Sequence, residues 1–150
     1  MKILLINPNR YQSPPVPPIG LEYIAASLEE KGHHAKILDL CFSDNILGEM
    51  DEAVTSFRPD IAGLTVRNVD SALFHTNEFF LDDIRDIVSH IRAACGLKTI
   101  IGGAGVVADP ERILSYLGAD YAVAGPGEDA IHEILDSLAG PDTKKIYYGR

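Results

Sequence analysis

Residues 100–111 read IIGGAGVVADPE, and where this stretch falls along the chain decides the fold. Two β-branched apolar residues run into paired glycines, and Asp109-Pro110-Glu111 then supplies an N-cap, a first-turn proline and a first-turn acid for a helix. The stretch therefore predicts a strand, a glycine turn and a helix in that order. Gly103-Ala104-Gly105-Val106-Val107-Ala108 also fits the G-x-G-x-x-G/A pattern of dinucleotide-binding loops.

The flanking sequence repeats the alternation. Residues 2–6 (KILLI) are a short, nearly continuous apolar run, as expected of a strand buried on both faces, and 35–40 (AKILDL), 60–66 (DIAGLTV), 98–101 and 121–124 read as four further strands. Helices are predicted over 19–31, 44–57, 81–94, 110–117 and 129–138. In the first, Ile19, Tyr23 and Ala26, with Leu28 on an adjacent row, form the face expected against the sheet. In the third, Ile84, Ile87, Val88 and Ile91 do the same. Prolines 14, 15, 17 and 18 keep residues 8–18 out of a helix. Strands alternating with helices imply right-handed βαβ units and a parallel sheet covered on both sides. The expected fold is a flavodoxin-like, doubly wound, five-stranded parallel sheet of order 2-1-3-4-5 in a Rossmann-like three-layer α/β/α arrangement. In such a sheet ligands bind beyond the carboxyl ends of the strands, which points to loops 7–18, 67–80, 102–109 and 125–128.

Composition narrows the function. The 150 residues, 46% of them apolar, suit one domain. A formal charge of −9 opposes nucleic-acid binding, and no apolar run approaches the roughly 20 residues of a membrane span; a cytoplasmic protein is the expectation. Cys41 and Cys95 stand far apart, as reduced thiols would.

Placement also removes the nucleotide readings. A dinucleotide fingerprint belongs on the first strand-to-helix turn, with its glycines opening the helix directly. Here it follows the fourth strand, the helix is expected to begin only at Pro110, and the next strand (YAVAG) ends without an acid for a ribose hydroxyl. No G-x-x-x-x-G-K-[ST] occurs. A phosphoacceptor receiver domain needs acids after strands one and three, where this chain has Asn7-Pro8-Asn9 and Thr65-Val66-Arg67.

Four stretches carry a different resemblance: PPVPPIGLEYIAASLEEKGH (14–33), DIAGLTVRNVD (60–70), IIGGAGVVADPERIL (100–114) and GADYAVAGPGEDA (118–130). Together they resemble the cobalamin-binding domain at the N-terminus of cobalamin-dependent radical SAM enzymes, over about residues 1–140. The resemblance implies cobalamin as cofactor, held at the carboxyl edge by Asn7, Pro8, Thr65, Val66, Arg67, Asn68, Asp70, Gly102, Gly103, Ala104, Gly105, Val106, Gly125, Gly127 and Glu128. It places the nucleotide tail of cobalamin beside Thr65 and Gly102-Gly103. Glu128 reads equally as a ligand contact or as an acid favouring a helix N-terminus, and Arg67 equally as a side chain under the corrin or as a partner of Asp70. Many cobalamin-binding domains carry Asp-x-His-x-x-Gly after the first strand, but residues 7–20 contain no His, so cobalamin is expected without a protein His on cobalt. His75 is the one His in a carboxyl-edge loop, and a surface role is expected for it.

The Cys-x-x-x-Cys-x-x-Cys run that holds a [4Fe-4S] cluster is absent. Residues 141–150 resemble the family's linker toward a C-terminal radical SAM domain on the same polypeptide, which would carry the cluster and S-adenosylmethionine. The resemblance implies that the longer enzyme moves a methyl group from S-adenosylmethionine to a substrate carbon, or catalyses a ring rearrangement, and that the domain alone binds without catalysing. The alternatives are a flavodoxin-like interaction domain without cofactor, or a small flavin- or nucleotide-binding protein.

Overall fold

The computed structural model describes residues 1–70, 79–141 and 144–150. Elements run β1 (Lys2–Asn7), α1 (Ile19–Glu30), β2 (His34–Asp39), α2 (Ile46–Phe57), β3 (Ile61–Thr65), α3 (Leu81–Cys95), β4 (Lys98–Gly102), α4 (Ala104–Val107), α5 (Pro110–Leu117), β5 (Tyr121–Ala124), α6 (Ala130–Ser137) and β6 (Ile146–Tyr148). All named strands pair in parallel, in the order β2-β1-β3-β4-β5-β6.

Alternation along the strands sorts the core into two layers. Leu4, Ile6, Ala62, Leu64 and Ile101 face α2, α3 and α5, while Ile3, Leu5, Ile61, Ile100 and Val123 face α1 and α6. Among the described residues two helices cover the second face, and the space between them bears on the site. Local chemistry sets the boundaries. Asn45 caps α2 by accepting from the Gly48 N–H, Asp109 caps α5 by accepting from the Arg112 N–H, and Pro110 opens that helix.

Four expectations are corrected. Among the described residues the sheet has six strands, not five, the sixth being β6 at Ile146–Tyr148. Its Tyr147 is 2% exposed and donates its hydroxyl proton to Ser137 Oγ at 3.0 Å. The inward face of α1 is Leu21, Ile24, Ala25 and Leu28, while Ile19 and Tyr23 are 53% and 63% exposed and Ala26 is also exposed. Apolar residues recur at helical spacing on both sides of α1, so periodicity alone selected the wrong side. The paired glycines do open a helix: the single turn α4 starts at Ala104, with Gly105 donating to Val66 O at 2.8 Å. The fourth-strand position and the missing acid still set the stretch apart from a dinucleotide fingerprint. Finally, α2 starts at Ile46 rather than Asp44 because Asn45, not Asp44, provides the cap.

Candidate functional site

Two cavities open at the carboxyl edge and share Thr65. The narrower is a slot of about 220 Å³ on the α1/α6 face. Its walls come from Leu21 and Ile24 of α1, Ile131 of α6, and Leu5, Ile100 and Val123 of the sheet. Six glycines complete it: Gly20, Gly63, Gly102, Gly103, Gly125 and Gly127. Missing side chains make the space. Register pairs Thr65 with Gly102 at the ends of β3 and β4, so the hydroxyl and the glycine pair meet at the slot mouth.

Gly103 can be no other residue without strain. Its φ of +102° and ψ of 174° fall in a region held almost only by glycine. A Cβ there would stand 2.8 Å from Val66 O and 2.9 Å from Thr65 Oγ1. At Gly102 a Cβ would meet only Val123, at 3.7 Å. Gly103 therefore shapes the backbone, and Gly102 leaves room.

The loop of residues 125–128 is anchored from two sides. Gly149 N–H donates to Ala124 O at 3.0 Å, which ties the end of β6 to the turn. Ser27 Oγ of α1 lies 3.1 Å from Glu128 O and 2.9 Å from His132 Nε2 of α6, which ties the two slot helices together. The hydroxyl donates to the carbonyl, so the imidazole N–H donates to the hydroxyl. That leaves His132 Nδ1 buried with no partner among the described residues. Burial, then the charge of Lys31 and the neighbouring His33, pushes the His132 pKa down, against a smaller upward pull from Asp136.

The second cavity, about 520 Å³, lies over the edge and is lined by Pro8, Arg10, Gln12, Thr65, Arg67, Asn68 and Phe80 among others. Its lining is mixed, polar and apolar in about equal parts, where that of the slot is mostly apolar. Arg10 is held by donating from Nη2 to Ser43 O at 2.8 Å, and Gln12 by donating to Cys41 O at 2.8 Å.

Of the residues expected at a site, Thr65, Gly102, Gly103, Gly125, Gly127 and Glu128 line the slot, and Pro8, Thr65, Arg67 and Asn68 line the wider cavity. Asn7, Val66, Asp70, Ala104, Gly105 and Val106 line neither. Asn7 is buried and donates to Asp39 Oδ1 at 2.8 Å. Val66 and Val106 belong to the core, Gly105 packs on Val66, Ala104 is exposed, and Asp70 forms an isolated antiparallel bridge with Phe79. His75 lies outside the described residues. No other histidine lines either cavity. The slot walls on α1 and Gly63 in mid-β3 were missed. A lone glycine inside an apolar strand is the signal that pointed to the latter.

A slot of this volume is below the roughly 300–1,000 Å³ of a pocket that encloses a whole drug-sized ligand. It has room for a flat, apolar group, and at Thr65 it adjoins the wider cavity. A doubly wound sheet with two adjoining cavities at its carboxyl edge places the chain in the class of α/β domains with a ligand-sized opening where strand order reverses.

Comparison with known proteins names the class. The family model for the B12 binding domain matches residues 13–135, and the chain belongs to that family, whose cofactor is cobalamin. It is 31% identical over 138 residues to tryptophan 2-C-methyltransferase of Streptomyces laurentii, covering 91% of this chain and 23% of that protein. An uncharacterized methyltransferase of Pyrococcus horikoshii is 29% identical over 154 residues, covering 97% and 31%. Among solved structures, the radical S-adenosylmethionine methyltransferase TsrM of Kitasatospora setae, with cobalamin and a [4Fe-4S] cluster bound, superposes with a TM-score of 0.86 at 31% identity, over 92% of this chain and 24% of that one. The cobalamin-dependent radical enzyme OxsB shares the fold, with a TM-score of 0.63 at 19% identity, over 95% of this chain and 19% of that one. The chain thus spans between about a fifth and a third of the length of these relatives.

No helix among the described residues is long and apolar enough to cross a membrane.

Proposed function

We propose that this domain seats cobalamin with its nucleotide tail in the glycine-lined slot and its corrin over the wider cavity, without a protein histidine on cobalt. We further propose that it serves as the cofactor module of a cytoplasmic radical SAM methyltransferase whose cluster-bearing domain lies on the same polypeptide. The observation that carries the reading is the slot itself: apolar, walled by α1 and α6, and opening between Thr65 and Gly102-Gly103. Its chemistry matches a flat aromatic base on a short tether better than a phosphate, because no Lys or Arg among the described residues lines it.

Each residue then has a role. Gly102 leaves the slot open, Gly103 turns the backbone away from the mouth, and Thr65 presents a hydroxyl that can donate to or accept from the tail. Ser27 and His132 hold the Glu128 peptide, and so the slot wall, against α1. Arg67 stands in the wider cavity with a permanent positive charge and no lone pair to offer a metal. When bound, cobalamin supplies a cobalt centre able to accept and release a methyl group. The domain's own work is to orient that centre and keep nitrogen ligands of the protein away from its lower face. The TsrM relative, with both cobalamin and a cluster in one chain, favours the module reading.

The test is to incubate the purified chain with hydroxocobalamin, remove free ligand and record the visible spectrum. Retained cobalamin in about one-to-one ratio supports the proposal. A colourless protein refutes it and favours an interaction domain, and a retained flavin spectrum from the cell would favour the nucleotide-binding alternative.

A further inference from the structure

A second cluster of ligating side chains lies away from the cobalamin slot, on the other face of the sheet. Asp51 of α2 and His90 and Cys95 of α3 bring a carboxylate oxygen, an imidazole nitrogen and a thiol sulfur within 4.8 Å of one another. His90 Nε2 is already 2.7 Å from Asp51 Oδ1. The helices that carry them are fixed: Met50 and Ala53 of α2, and Ile87, Val88 and Ile91 of α3, are all buried in one core cluster.

We propose that this cluster is a binding site for a borderline divalent cation of the zinc class, with three protein ligands and one water. The donor set selects the ion. Magnesium and calcium take oxygen, whereas one sulfur, one nitrogen and one oxygen suit zinc and its neighbours. Metal-ligand bonds of about 2.0–2.3 Å place tetrahedral donors roughly 3.3–3.8 Å apart. The three donors already lie within 4.8 Å of one another, and the 2.7 Å Asp51–His90 contact would open to admit the ion. Access is available, because the side chains of His90 and Asp51 are 20% and 56% exposed. On binding, the thiol exchanges its proton for the cation. Such an ion clips α2 to α3, independently of whether cobalamin binds.

The experiment is titration of the cobalamin-free chain, kept reduced, with Co²⁺ as a spectroscopic probe. The expected result is one ion per chain, with near-ultraviolet thiolate-to-cobalt absorption that Zn²⁺ displaces. Cys95→Ser should abolish the absorption and Cys41→Ser should preserve it. Asp51→Asn and His90→Gln should each weaken binding by at least about tenfold, with circular dichroism showing the variants folded. No absorption at stoichiometric Co²⁺, or absorption that survives Cys95→Ser, overturns the proposal.

Discussion

Gly102 and Gly103 are adjacent, yet the geometry assigns them opposite sensitivities. At Gly102 an added methyl meets Val123 Cβ at 3.7 Å, an ordinary contact. The backbone there is a strand end in register with Thr65, so Gly102→Ala costs the fold nothing and can add about 0.4–1 kcal/mol by restricting the unfolded chain. The same methyl projects into the slot, and forcing a ligand past it costs about 1–3 kcal/mol, or roughly 5- to 150-fold in affinity. Gly103→Ala does the reverse. Its backbone region alone costs about 1–3 kcal/mol in a non-glycine residue, before the approach to Val66 O at 2.8 Å and Thr65 Oγ1 at 2.9 Å is counted. At about 2–4 °C per kcal/mol for a domain of this size, the melting temperature should fall by at least about 2 °C. Gly103→Leu should go further and abolish cobalamin binding. Thermal denaturation followed by circular dichroism gives the stability arm, and equilibrium dialysis against hydroxocobalamin gives the affinity arm. A Gly102→Ala protein with wild-type melting and wild-type affinity would show that the tail does not enter the slot, and the reasoning would fail.

Three further outcomes follow from particular contacts. Arg67 is exposed, and exposed charges contribute about 1 kcal/mol or less. Arg67→Ala should therefore weaken cobalamin binding by no more than about fivefold while shifting the cobalt absorption bands, and unchanged bands would remove Arg67 from beneath the ring. Tyr147→Ala deletes a buried ring and the bond to Ser137, which should cost about 3–5 kcal/mol in urea denaturation; a negligible loss would make β6 an appendage. The folded-state pKa of His132 lies below its ordinary 6.5, so the unfolded chain binds the proton first as pH falls. The domain should lose stability below about pH 6.5, and His132→Phe should flatten that part of the profile measured by denaturant unfolding. Identical profiles in the two proteins would mean that His132 is not the group responsible.

The alternating βαβ pattern was legible because doubly buried strands concentrate apolar residues in short runs, and the glycine pair because nothing else tolerates the Gly103 backbone. The inner strands, all the longer helices and the carboxyl-edge placement of Thr65 and Gly102 follow from those two signals. The slot as a whole was not legible, because its walls come from residues far apart in the chain, and the relevant property of Gly20 and Gly63 is an absent side chain. The face of α1 was misread because Ile19 and Tyr23 are as apolar as Leu21 and Ile24, and the choice between the two sides is made by the sheet, not by the helix. β6 escaped notice because three residues beside Lys144 and Lys145 carry too little pattern to stand out. The Ser27–His132 bridge spans 105 positions, and no local spacing announces it.

The most direct test of the central claim is electron paramagnetic resonance of the protein loaded with cobalamin and reduced to Co(II). With the nucleotide tail in the slot and no histidine beneath the ring, the cobalt lines should show no nitrogen splitting from an axial ligand. Three-line nitrogen splitting on those lines would contradict the account, because it would mean that either the tail's own base or a protein imidazole sits on cobalt.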